Sequence, residues 1–389
     1  MTQKDSYQSE LFANRLAKRY KQLRKWARKE RITCYRLYDR DIPEIPVAAD
    51  LYEVLPQDVQ DKNACARYLQ QQAARESEND HSAAKERAER LYLTIFLYER
   101  PYQKARLEEA AWLEGIAQAA CRVLGVERSH IIIKMRRHDK GGSQYAAGSS
   151  TASDADGTED QDFLFLNPQE HGLNDDVLVQ EQGQLFKVNL TRHLDTGLFF
   201  DHRPLRALIR DTARGKSVLN LYCYTASFSV YAAEGNAKRI DSVDLSNTYL
   251  AQAEENMKLN GFPVKGEAAR YRFIRADVKA FLEKLAAEPP SGMNRYDIII
   301  LDPPTFSNSK MTRTMLDINR DWPELVGTCL SLLTPGGVLY FSTNSRKLVF
   351  NPELISGTAE DITSRTLPED YKGAKPHRCW KITGLKPGS

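Results

Sequence analysis

The chain has 389 residues, enough for two domains that each bury a core, and its formal charge of +3 is too small by itself to argue for a nucleic-acid partner. No apolar run approaches the roughly 18 residues of a membrane span, and the opening Met-Thr-Gln-Lys-Asp-Ser carries no apolar signal core. The six cysteines (34, 65, 121, 223, 329 and 379) are scattered, with no C-x-x-C pair and no histidine at zinc spacing; the expectation is a cytoplasmic protein with reduced thiols and no metal.

Phe12, Leu16, Tyr20 and Leu23 recur at helical spacing, and Trp26 extends the stripe. Between them lie Arg15, Lys18, Arg19, Lys21, Arg24, Lys25, Arg28 and Lys29, which predicts an amphipathic helix with a basic outer face. Such a face is either merely solvated or a phosphate-tracking surface, for which Arg15, Lys18, Arg19 and Lys25 are the candidates. Thr33–Tyr38 alternates like a strand, and 39–46 reads as loop. Residues 57–90, rich in Gln, Ala, Glu and Arg, suggest a surface excursion, partly helical or mobile. Leu91–Tyr98 reads as a strand. A helix from about Tyr102 to Leu124 follows, with Leu107, Ala110, Ala111, Leu113 and Ile116 inward and Gly125 ending it. His130–Met135 is a strand that leads into a polar, low-complexity loop at 141–161. Short strands at 163–166, 177–179 and 185–190 complete an α+β domain over residues 1–190.

From Gly215 strands and helices alternate, the mark of a parallel sheet. Val218–Tyr222, Arg239–Asp244, Arg272–Ala276, Asp297–Leu301 and Val338–Ser342 read as the strands, with Cys379–Thr383 as a last one. A helix over about 317–333 is expected to be broken into by Pro323. Asp244 ends the second strand, where a carboxylate can accept from both hydroxyls of a cofactor ribose. The first turn, Cys223–Ser227, lacks G-x-G-x-x-G, so it suits a phosphate-free nucleoside rather than a dinucleotide. Asp277, after the third strand, suits an adenine amino group. The fourth strand stops at Asp302-Pro303-Pro304, with a planar ring at Phe306. These residues together point to S-adenosylmethionine as cofactor, and to Asp302, Pro303, Pro304 and Phe306 as the grip on a planar base.

The stretches Asn14–Arg19, Cys34–Asp39, Leu194–Arg203, Leu219–Tyr222, Asp302–Lys310 and His377–Trp380 resemble the K module of the bacterial bifunctional 23S ribosomal RNA guanine methyltransferases, the RlmKL family. The resemblance covers most of the chain. It implies a class I S-adenosylmethionine-dependent methyltransferase over 191–389: an α/β, Rossmann-like fold with a mostly parallel seven-stranded sheet. The α+β domain before it would contact RNA. It also implies N7 methylation of a guanine in 23S ribosomal RNA, free or in a large-subunit assembly intermediate. Asp195, Phe199, Asp201 and Arg203 would form a lid over the cofactor, which Asn220, Tyr222, Thr225, Ala226, Asp244, Leu245, Asp277 and Asp302 would line. Lys310 and Arg313 would meet phosphates. The family usually has Gly where this chain has Ala226, so the added methyl either crowds the cofactor or the backbone stays at negative φ. The family's N2-guanine methyltransferase half is not in this sequence; the expectation is a stand-alone K module, with a separate N2-guanine methyltransferase as a candidate partner.

Asp302 is open to three roles: holding guanine through its N1–H and amino group, contacting the cofactor, or fixing the turn. Two other functions compete. A cytosine-C5 methyltransferase needs a cysteine thiolate near the end of the fourth or fifth strand, and those positions carry none. A non-catalytic RNA-binding assembly factor would keep the fold without turnover.

Overall fold

The computed structural model describes residues 2–77, 81–98, 104–135, 176–264, 270–307 and 315–384. The expectations for 141–161, the strand at 163–166, and Lys310 and Arg313 fall outside them. The chain forms two compact units: one runs to Phe200 and takes in Glu369–Tyr371, and the other holds Asp201–Pro368 and the chain from Lys372.

In the first unit α1 (Gln3–Lys29) starts with a capping box, in which Thr2 and Asp5 bond each other's backbone N–H. Phe12, Leu16 and Leu23 are buried as the spacing requires. Arg19 is buried too, which corrects its placement on the outer face. Its guanidinium donates to the Asp370 carbonyl at 2.9 Å and the Leu37 carbonyl at 3.4 Å. Lys18 and Lys25 are exposed, and Arg15 pairs with Asp41. β1 (Cys34–Asp39), β2 (Val47–Glu53) and β3 (Leu91–Leu97) are antiparallel neighbours. β4 (Ile131–Met135) joins β3 in parallel through α4 (Arg106–Leu124), the crossover a parallel pair needs. Leu107 is 85% exposed and Trp112 is the buried anchor instead, its indole N–H on Gln8 at 2.7 Å. Within 57–90 the structure takes the helical alternative: α2 (Lys62–Ser77) and α3 (His81–Ala88) are tied by a bidentate Arg75–Glu86 bridge. A hairpin of β5 (Val177–Glu181) and β6 (Gln184–Val188) turns on Gln182-Gly183, both at positive φ.

The second unit is built on a seven-stranded sheet. Its strands are β7 (Ser217–Leu221), β8 (Arg239–Asp244), β9 (Tyr271–Arg275), β10 (Tyr296–Leu301), β13 (Leu333–Thr343), β14 (Gly357–Asp361) and β15 (Arg378–Gly384). The order is β14-β15-β13-β10-β7-β8-β9. Neighbours from β13 to β9 run parallel, while β15 lies antiparallel between β13 and β14. A small ribbon, β11 (Phe306–Ser307) with β12 (Leu316–Asp317), stands outside the sheet. The helices are α5 (Arg203–Thr212), α6 (Ser227–Glu234), α7 (Asn247–Leu259), α8 (Val278–Ala287), α9 (Ile318–Ser331) and the short α10 (Thr363–Thr366). α9 continues through Pro323, so that proline forfeits one backbone bond without ending the helix. Leu219, Leu221, Ile299 and Leu301 are fully buried at the sheet centre. Asp241, in the middle of β8, is a fully buried charge offset by a bidentate Arg272 and the Tyr296 hydroxyl at 2.7 Å.

Candidate active site

The strand order reverses between β7 and β10, and ligands bind at the carboxyl ends of strands beside such a reversal. Asp244, Tyr222, Asp302 and Ser342 all stand at that end of the second unit. The turn after β7 is tightly wound: Tyr222, Tyr224 and Ala226 have φ of 54°, 51° and 59°. Three left-handed residues without glycine within five positions are costly, and such strain gathers at ligand sites. Ala226 is therefore not at negative φ. It keeps the conformation a glycine would favour, is wholly buried, and caps α6.

Asp244 receives the backbone N–H of Tyr224 on one oxygen and that of Ser246 on the other, each at 2.9 Å. Burial pushes its carboxyl up, and those amides, with that of Leu245, hold the shift back. The carboxylate has acceptor capacity beyond these amides, which would let it accept from the hydroxyls of an adenosyl ribose. The Thr225 carbonyl accepts from Asn256 at 3.0 Å, which fixes the turn to α7. Asp277 caps α8 through Ala280 at 2.9 Å, committing one oxygen to the helix. Asn220, read as part of the cofactor lining, is buried within β7. Its amide donates to Ser229, which bonds Ser242, so the side chain ties β7, α6 and β8 together inside the fold.

Asp302 closes β10 and is partly exposed. Ser342 donates to its Oδ1 at 2.5 Å, and the His202 Nε2 lies 3.2 Å from its Oδ2. Burial would raise its carboxyl, but the His202 charge and the hydrogen bonds from His202 and Ser342 leave it below the usual range. Pro303 is buried and Pro304 half-buried. Thr305 bonds Asn344 at 2.6 Å, and its carbonyl accepts from Ile318 N–H, so the turn is pinned to β13 and α9. Half-buried Phe306 sits in the β11–β12 ribbon opposite Asp317.

Behind Asp302 lies a group in which the sequence reading gave a role to Asp201 alone, as part of the cofactor lid, and none to the two histidines. His202 stacks on His377, with centroids 4.5 Å and planes 15° apart. His377 Nδ1 is 3.0 Å from Asp201 Oδ2, and its Nε2 is 3.0 Å from the Thr366 hydroxyl. Asp201, His202 and His377 each bring a potential ligand atom within 4.8 Å of the others, but near-parallel rings aim their in-plane lone pairs along separate planes, which suits a stack better than a chelate. The signal was present in Asp201-His202-Arg203 and in His377, but those residues are 175 or so positions apart and only the fold joins them. Arg203 opens α5, fully buried. Asp195 and Phe199 belong to the first unit.

A family model described as S-adenosylmethionine-dependent methyltransferase matches residues 168–373. Ribosomal RNA large subunit methyltransferase K of Neisseria meningitidis serogroup B is 36% identical over 95% of this chain and 86% of its own length. Ribosomal RNA large subunit methyltransferase K/L of Magnetococcus marinus is 39% identical over 96% of the chain and 43% of its own length. The Pseudomonas syringae pv. tomato K/L protein is 40% identical over 96% and 41%. The chain thus spans less than half of these K/L relatives. Among solved structures, an S-adenosylmethionine-dependent methyltransferase from Streptococcus mutans aligns with a TM-score of 0.63 at 19% identity, covering 96% of this chain and 81% of its own. That likeness bears on the fold alone. The chain belongs to the S-adenosylmethionine-dependent methyltransferase family, in the branch that holds the ribosomal RNA large subunit methyltransferases K.

Proposed function

We propose that this chain methylates ribosomal RNA, and that its target is a guanine N7 in 23S RNA. The observation that carries the reading is Asp302, a carboxylate kept ionised at the carboxyl end of β10 with Phe306 four residues on. An ionised carboxylate only accepts hydrogen bonds. Guanine offers two adjacent donors, N1–H and the exocyclic amino group, where adenine offers one donor beside an acceptor. Asp302 therefore favours guanine, and a ring at Phe306 would return about 1–3 kcal/mol by stacking against the few kcal/mol needed to unstack the base. S-adenosylmethionine, held through Asp244 and Asp277, supplies an activated methyl group. N7 carries an in-plane lone pair and needs no deprotonation, so the residues' task is placement and exclusion of water. The exposed Lys18 and Lys25, with Arg15, Lys310 and Arg313, would track the phosphates.

The rival cytosine chemistry needs a thiolate. Burial pushes the thiols of Cys223, Cys329 and Cys379 up, and the Asp302 charge adds to the effect at Cys379. None is poised to attack. Incubation with S-adenosylmethionine and unmodified 23S RNA, followed by mass spectrometry of the nucleosides, should yield N7-methylguanine that is lost on Asp302→Ala. A 5-methylcytosine product, or none, would sink the reading.

A further inference from the structure

His202 is 6% exposed, yet its ring Nδ1 is buried without a hydrogen-bond partner among the described residues. Packing alone gives no reason to keep such an atom, because an apolar ring would fill the same slot between His377 and Phe228. The other nitrogen explains it. Nε2 faces Asp302 Oδ2 at 3.2 Å, with Asp201 Oδ2 at 3.8 Å. A neutral ring protonated only at Nδ1 would turn a lone pair on that carboxylate, so Nε2 carries hydrogen and donates. Asp201 and Thr366 clamp the His377 ring, which backs His202 as a fixed platform.

We propose that His202 is a positioning residue: with Ser342 it fixes Asp302 so that one lone pair on each carboxylate oxygen stays free to accept the paired N–H donors of the target base. The idea rests on the guanine reading above and gives it a mechanism for selectivity. Ser342 occupies one site on Oδ1 and His202 one on Oδ2. Without His202 the carboxylate would be free to rotate, and burial would draw it toward its neutral form, whose hydroxyl would meet a donor edge with a donor. The charges facing the imidazole are Asp302 after β10, Asp201 before α5, and Arg206 on α5. Burial and Arg206 oppose its charge, the two carboxylates outweigh them, and its pKa is pushed up to about 9. The pair is then intact at neutral pH and is lost as pH rises through that value.

The test has two arms. Nuclear magnetic resonance of 15N-histidine-labelled full-length protein should show one imidazole titrating near 9 in the wild type and at least one pH unit lower in Asp302→Asn. In methyl transfer to 23S RNA, His202→Gln should keep cofactor affinity within threefold and lose at least tenfold in kcat/KM. It should also lose the alkaline limb near pH 9, with His202→Ala falling further because Gln still donates to Asp302. An imidazole that ignores Asp302→Asn, or a His202→Gln enzyme with wild-type rate and an unchanged pH profile, overturns the proposal. Wild-type protein that shows the histidine coupling but makes no methylguanine overturns the guanine reading instead.

Discussion

The backbone N–H of Tyr224, in a left-handed conformation, donates to Asp244 across the gap between the ends of β7 and β8, at 2.9 Å. Twenty residues of sequence separate the two, and their bond sets the cofactor turn against the acid that would hold the ribose. Asp244→Ala should weaken S-adenosylmethionine binding by 30-fold or more in calorimetry, since it removes charged hydrogen bonds that are worth about 1.5–3 kcal/mol each. Because burial raises this carboxyl, the wild-type affinity should decline on acidification at a higher pH than an ordinary aspartate would give. In the free protein the sign is reversed. A raised folded pKa favours the fold in acid and loses that contribution as pH rises, so the ionised acid is a burden that the ligand relieves. Affinity that is flat between pH 4 and 8 would contradict the assignment.

Ala226→Gly should stabilise the protein. A non-glycine residue at φ 59° costs about 1–2 kcal/mol, and glycine returns about 0.5–1 kcal/mol of that as unfolded-state entropy. A gain of up to about 1 kcal/mol in urea unfolding, with cofactor affinity unchanged or better, is the expected outcome. Destabilisation would mean that the buried methyl contributes more by packing than its backbone costs.

Lys18 and Arg19 are neighbours with opposite duties. Arg19→Ala removes a buried guanidinium from two carbonyls and should cost about 2 kcal/mol in stability. Lys18→Ala, on the exposed side, should leave unfolding unchanged and weaken RNA binding, with the log–log salt slope shallower by roughly 0.7 per lost phosphate contact. Identical salt slopes for Lys18→Ala and the wild type would remove α1 from the RNA surface.

Asp5→Ala should cost about 1 kcal/mol at neutral pH through the lost cap. Burial works against the Asp5 charge, but the Thr2 amide, the Lys104 ammonium and the Thr2 hydroxyl together lower its carboxyl to about 2. A depressed pKa gives stability that is present above the unfolded value near 4 and lost as pH falls toward 2. The difference between variant and wild type in chemical unfolding should therefore shrink across that window. A difference that persists at pH 2 would mean the cap contributes without its charge.

Most of the second unit was legible because β7 and β10 are short, largely apolar runs that stop at Tyr222 and at Asp302-Pro-Pro, while β8, more polar, announces itself by the acid at its end. β14 was not: Gly357-Thr-Ala-Glu-Asp361 is an edge strand with no apolar face to announce it. Arg19 misled because it is a charge, although it lies three residues after Leu16 and four before Leu23, on the buried stripe itself. The D-P-P acid and the Asp244 acid were readable from their strand ends. Asn220 entered the cofactor lining through the resemblance alone, and only the fold shows its amide donating to Ser229. His202 and His377 needed the fold, since neither has a local pattern that implies the other.

β15 has a consequence for synthesis. It sits between β13 and β14, so β14 has no partner until Arg378–Gly384 has been made, and His377, one residue earlier, completes the stack behind Asp302. The second unit can collapse early around β7, β8 and β10, but neither its sheet nor the His202–His377 stack behind Asp302 can close while the chain still ends short of these residues. A nascent chain stalled before His377 thus lacks both the strand between β13 and β14 and the ring that backs His202, and the two arrive in one late step.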